Sequence, residues 1–192
     1  MITLVIVDCQ NDFITGTVAV KGAKTAVEEI KKFIKNHKKE IDKILFAIDW
    51  HPYNHNSFKE YKGNLPHHCI QYTPGACIEP KMLKFVQSNK INYEVSTRGE
   101  IEEITPSGAF VEIDFAQDNL GKRYYFDSVV TADANTDFVI CGTTGDTDVL
   151  NTISNLLSEK IVPKIFAPGT SSNDNGKSIN QLIKQFGLEK IV

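Results

Sequence analysis

Continuous apolar runs alternate with stretches of helical periodicity along this chain. Residues 2–7 and 43–48 are continuous and apolar, the pattern of strands buried on both faces. Between them Ala26, Val27, Ile30, Phe33, Ile34 and Ile41 recur at helical spacing, with lysines on the opposite face. Residues 92–96, 137–141 and 161–166 predict three further strands, and 188–192 a last short one. Val149, Leu150, Ile153, Leu156 and Leu157 mark one more helix; Ile179, Leu182, Ile183 and Phe186 mark the last. This alternation predicts βαβ units and an α/β fold: three layers, α/β/α, around a doubly wound, mainly parallel sheet. Ligands of such sheets bind at the carboxyl ends of the strands. Residues 110–130 break the rhythm and read as two strands around a turn, either packed on the domain or forming a dimer contact.

Composition narrows the class. A chain of 192 residues can remove roughly 70% of its unfolded surface from water around one core, so one domain over 1–192 is expected. The net charge is −3, without the basic excess that nucleic-acid binding demands. No apolar run approaches the ~20 residues of a membrane helix. The N-terminus reads as a strand, not a signal peptide, and a cytoplasmic location is expected. Cys9, Cys69, Cys77 and Cys141 are scattered and form no CxxC pair, which suggests reduced thiols.

The candidate chemistry lies where strands end. Asp8 closes the first strand, in Asp8-Cys9-Gln10-Asn11-Asp12-Phe13. Asp49 and His51 follow the second, and in an extended segment they project to one side. His55 can return after the turn that Pro52 favours, and Pro66-His67-His68-Cys69 offers a further donor. Of five histidines, four fall within 51–68, which favours a metal site over chance surface residues; His37 is left on a helix surface. Aspartate and histidine together suit one divalent metal such as zinc, iron or manganese rather than calcium. After the fourth strand, Gly142-Thr143-Thr144-Gly145-Asp146-Thr147-Asp148 leads into a helix, and its backbone N–H groups can face an anion. Asp146 reads as a helix-capping residue.

These motifs resemble those of the nicotinamidase/pyrazinamidase branch of the isochorismatase-like cysteine hydrolases. The likeness spans Asp8–Phe13, the loop Gly16–Ala23, Asp49-Trp50-His51-Pro52 with His55, Pro66–Cys69 with Thr73–Ala76, and Ser107–Phe110. It implies hydrolysis of nicotinamide to nicotinate and ammonia, an isochorismatase-like fold, and Asp49, His51, His55 and His68 as metal ligands, with His67 beside the matched position. It places Phe13 and Thr144 at the ligand, a small amide or related molecule, and allows a homo-oligomer.

The same likeness implies a catalytic triad of Asp, Lys and Cys. Here those positions hold Asp8, Arg98 and Asp148. The tryptophan that the family commonly carries before Pro-His-Cys is Leu65. Cys141 precedes the loop glycine and reads as a core thiol, and Cys69 and Cys77 also miss the nucleophile position. A carboxylate is a poor nucleophile toward an amide, and arginine does not exchange protons near neutral pH. The sequence therefore predicts a salt-bridged Asp8–Arg98–Asp148 cluster and lost cysteine-type amidase activity. Two other readings stay open: a non-catalytic ligand-binding or oligomer-forming relative, and a metal-dependent hydrolase of another small substrate.

Overall fold

The computed structural model describes residues 1–102, 108–109, 116–117, 123–124 and 136–192. Six parallel strands form one sheet: β1 (Ile2–Val7), β2 (Ile41–Asp49), β3 (Asn92–Arg98), β6 (Asp137–Gly142), β7 (Lys164–Thr170) and β8 (Lys190–Ile191). Their order is β3-β2-β1-β6-β7-β8. The chain thus winds outward from β1 in one direction, then returns to its other side and winds outward again. The switch point lies between β1 and β6, where crevices form at the carboxyl ends.

Helices cover both faces. On one, α2 (Ala23–His37) buries Ala26, Val27, Ile30, Phe33 and Ile34 against Leu4, Ile6, Phe46 and Phe166, beside α3 (Pro80–Ser88). On the other, α4 (Asp148–Ser158) and α5 (Lys177–Phe186) close over Val5, Val7, Leu45 and Ile140. The alternate residues of β1 therefore feed two different cores, which is why its sequence is apolar without interruption. A four-residue helix, α1 (Asn11–Ile14), follows β1.

Several boundaries differ from the sequence pattern for physical reasons. Ile41, which extends the apolar stripe of α2, instead opens β2 beside Ile2. The strand expected from 161 begins at Lys164, after Pro163, whose nitrogen has no proton to give a ladder. Two elements absent from the periodicity reading are α1 and α3. For α3 the signals were local: Pro80 at the first helical position, and Glu79, whose carboxylate accepts from Met82 N at 2.7 Å. Within the expected 110–130 excursion, β4 (Ala116–Gln117) and β5 (Arg123–Tyr124) pair antiparallel; the rest of it lies outside the described residues.

Candidate metal and ligand site

Asp8, Asp49 and Arg98 all stand at the carboxyl ends of neighbouring strands. In the parallel ladder Asp49 is the direct register partner of Arg98. Asp8 leaves β1 with φ of +50°, in the left-handed region. That conformation strains most side chains, and aspartate tolerates it better than most. Thr143, at the end of β6, donates its hydroxyl to Asp8 O at 2.9 Å and so ties the two sides of the switch point.

Arg98 is the hub. Its Nη2 donates to Asp8 Oδ1 at 2.5 Å and to Asp49 Oδ1 at 2.7 Å, and its Nη1 reaches Asp148 Oδ1 at 3.3 Å. The guanidinium is 3% exposed. Burial alone would oppose its charge, but Asp8, Asp49 and Asp148 outweigh that and hold it protonated. The carboxylates divide. Burial, with help from Asp49 and Asp148, pushes Asp8 well above the usual carboxylate range despite Arg98. Asp49 is also desolvated, though less completely buried than Asp8, and Arg98, His51 and His68 together pull it below that range. Asp148 is the most exposed of the three and also accepts from the Thr144 and Thr147 hydroxyls at 2.8 and 2.9 Å.

The second oxygen of Asp49 faces histidines. Asp49 Oδ2 lies 3.4 Å from His51 Nε2 and 3.9 Å from His68 Nε2. One ligand atom from each of these three residues lies within 4.8 Å of the others. Their remaining bonds fit a cation. His51 Nδ1 sits 3.0 Å from Gly99 O and His68 Nδ1 2.9 Å from Pro66 O. A carbonyl only accepts, so both Nδ1 atoms carry the proton and both Nε2 atoms present lone pairs. Burial also pulls His68 below the usual imidazole range, toward its neutral, ligating form. An aspartate oxygen and two such nitrogens match the donors that zinc, iron and manganese accept.

The structure brings Asp49, His51 and His68 together and treats His55 differently. The His55 ring stacks on His51 with centroids 4.1 Å apart, and its Nδ1 pairs with Ser57 Oγ at 2.7 Å. His67 lies outside the trio, stacked on Tyr53. Phe13 meets His68 edge-on at 5.8 Å, and Leu65 is half-exposed on the loop before Pro66. Cys141 turns away into the core, its thiol directed at Val5 O, and burial keeps that thiol protonated.

Two positioning residues carry no role in the motif reading. Gln10 is fully buried; its Oε1 accepts from Asp49 N at 2.8 Å and its Nε2 donates to Asp49 O and Ala76 O at 2.7 and 2.8 Å. Asp12 Oδ2 accepts from Cys69 N at 2.8 Å and so fixes the segment next to His68. The available signal was two amide- or carboxylate-bearing residues just past a buried strand. Gly99 is required by space, since at φ +65° any Cβ would run into the His51 ring.

Sheet order and flanking helices define a three-layer α/β/α fold with the site at the carboxyl ends of its strands. Residues 3–89 match the isochorismatase domain model. The nicotinamidase of Escherichia coli is 30% identical over 93 residues, 40% of this chain and 44% of that protein. The nicotinamidase of Saccharomyces cerevisiae is 33% identical over 75 residues, 38% of this chain and 35% of that protein. Each match thus spans less than half of the curated relative. The yeast nicotinamidase structure bound to the inhibitor nicotinaldehyde superposes with a TM-score of 0.77 at 20% identity, covering 100% of this chain and 99% of that one. The Pyrococcus horikoshii pyrazinamidase in complex with zinc gives 0.74 at 19% identity, covering 99% and 98%. The two structural likenesses show that the chain shares the fold of these structures.

Proposed function

We propose that this chain is a nicotinamidase-branch protein that holds a divalent metal and a small amide-like ligand but has lost cysteine-type amide hydrolysis. The observation that carries this reading is Arg98 clamped among Asp8, Asp49 and Asp148, where the family resemblance calls for a lysine and a thiol. Attack by Asp148 on an amide would have to form an anhydride, far harder to reach than a thioester. Arg98 keeps its proton near neutral pH and cannot relay one to a leaving amine. Three carboxylates around a single guanidinium also leave no positive excess to stabilise an anionic acyl intermediate.

Asp49, His51 and His68 are the residues that would hold the metal, which when bound supplies a Lewis acid facing the ligand. Phe13, whose ring meets His68 edge-on, and Thr144, whose hydroxyl donates to Asp148, are the residues assigned to the ligand in this reading. The ligand class follows from the relatives: the yeast nicotinamidase binds nicotinaldehyde, a flat heteroaromatic carbonyl compound.

Ammonia release from nicotinamide, with zinc, manganese or iron(II) added in turn, tests this reading. Wild type is expected to match the no-enzyme background. The double variant Arg98→Lys, Asp148→Cys is expected to rise above it. Wild-type turnover on the order of 1 per second or more would overturn the reading.

A further inference from the structure

Of the charged side chains in the arginine cluster, Asp148 is the one most open to approach. It is 25% exposed, against 13% for Asp49, 3% for Arg98 and none for Asp8. A molecule that reaches the cluster from solvent therefore meets a carboxylate before it meets the guanidinium.

We propose that Asp148 makes this site selective for ligands that present an N–H donor, a carboxamide above all, and turns away the matching carboxylate. The inference rests on the ligand class of the proposed function and adds the head group that the site takes. Three observations carry it. The first is that Arg98 is closed to an incoming anion. Its Nη2 donates to both Asp8 and Asp49, its Nη1 donates to Asp148, and its Nε is buried.

The second is the loop before α4, whose amides could have served an anion instead. Gly145 N donates to Ser171 O at 2.7 Å, and the Thr147 and Val149 N–H groups donate to Thr144 O at 3.2 and 3.1 Å. Asp148 is the first residue of α4, so its own carboxylate already lies at the positive end of that helix.

The third is the acceptor capacity of Asp148. A carboxylate can accept about four hydrogen bonds. Oδ2 takes the Thr144 and Thr147 hydroxyls, whereas Oδ1 has only the long bond to Arg98 at 3.3 Å among the described residues. Oδ1 thus has room for a donor. Asp148 lies outside the Asp49–His51–His68 trio, so it stays available to a ligand whether or not a metal is bound. A bound metal attracts anions, and the preference is largest in the metal-free protein.

The test is calorimetric titration of metal-free and zinc-loaded protein with nicotinamide, methyl nicotinate and nicotinate at neutral pH. These probes share one ring. The amide donates an N–H, the ester is neutral without one, and the acid is an anion. Wild type is expected to bind the amide most tightly, the ester less tightly and the acid least. The gap between amide and acid is expected to be about tenfold or more in the metal-free protein, because an unscreened like-charge contact is strongly unfavourable. Asp148→Asn, which removes the charge and adds a donor, is expected to narrow that gap severalfold or reverse it. Asp148→Ala is expected to bring amide and ester to similar affinity. Acid binding as tight as amide binding in metal-free wild type would overturn the proposal, as would an amide-to-acid ratio unchanged in both variants. Binding without preference would leave the proposed function standing, whereas no binding of any probe would overturn both. Ammonia measured in the same samples reports on lost hydrolysis separately.

Discussion

The two sides of Asp49 make opposite uses of similar groups. On one side Oδ1 meets a permanent cation, Arg98, which already holds Asp8 and Asp148. On the other, Oδ2 meets two imidazoles whose lone pairs stay open because their Nδ1 protons are bound to carbonyls. The arginine side carries its own positive charge. The histidine side is arranged to receive one. A single carboxylate can serve both because its oxygens face apart, and the desolvation of Asp49 is offset from two directions rather than one. The difference teaches that one buried carboxylate can anchor a permanent cation on one oxygen and leave its other oxygen in a donor set that suits a metal.

The arginine side breaks first. Arg98→Ala leaves Asp49, the carboxylate held ionised beside it, without its counter-charge and Asp8 without its donor, and a loss on the order of 3–5 kcal/mol is expected from broken buried pairs. Thermal unfolding of the single variants and of Arg98→Ala, Asp148→Ala measures it, and the double variant should lose less than the sum. On the histidine side, the protein should bind about one divalent metal when loaded with zinc, manganese or iron(II) after chelator treatment. His51→Ala should weaken that binding by about a hundredfold or more, beyond what loss of an outer partner typically does, while Asp148→Ala should leave it nearly unchanged. Elemental analysis and competition with a chromogenic chelator read both.

A smaller effect separates the members of the arginine cluster. Asp148 is partly exposed, so Asp148→Ala is expected to lower stability by only about 1 kcal/mol, the usual worth of such hydrogen bonds. Smallest of all is the thiol response. Burial pushes Cys9 up to about 12, with Glu79 adding to it, and also raises Cys69 and Cys141. A thiol reagent at pH 8 should therefore modify exposed Cys77 rapidly and the other three only on unfolding.

The fold was legible where one force dominated. The unbroken apolar runs of β1 and β2 admit only strands covered on both faces, and α2 and α4 show clean helical stripes. Ile41 misled because an apolar residue after a helix fits either period, and only pairing with Ile2 decides it. At the site, strand ends pointed to Asp8 and Asp49, and the family resemblance to Arg98. The bond between Asp49 and Arg98 was not visible, because it depends on the β2–β3 register, which no local pattern encodes. The stacking of His55 on His51 was equally hidden: spacing says that a histidine can return to a site, not which way its ring will face.

Gln10 has a consequence for the order in which the molecule assembles. Its amide joins partners 39 and 66 residues away in the chain, contacts of high sequence separation that form only after long loops have closed. The Asp49 backbone, and with it the aspartate donor of the metal trio, is therefore held in place only once β1, β2 and the 74–76 turn have already met. A metal ion that this trio holds would therefore find no finished cage in the nascent chain; it would enter a folded protein and strengthen it by mass action, as a late guest rather than as a template for folding.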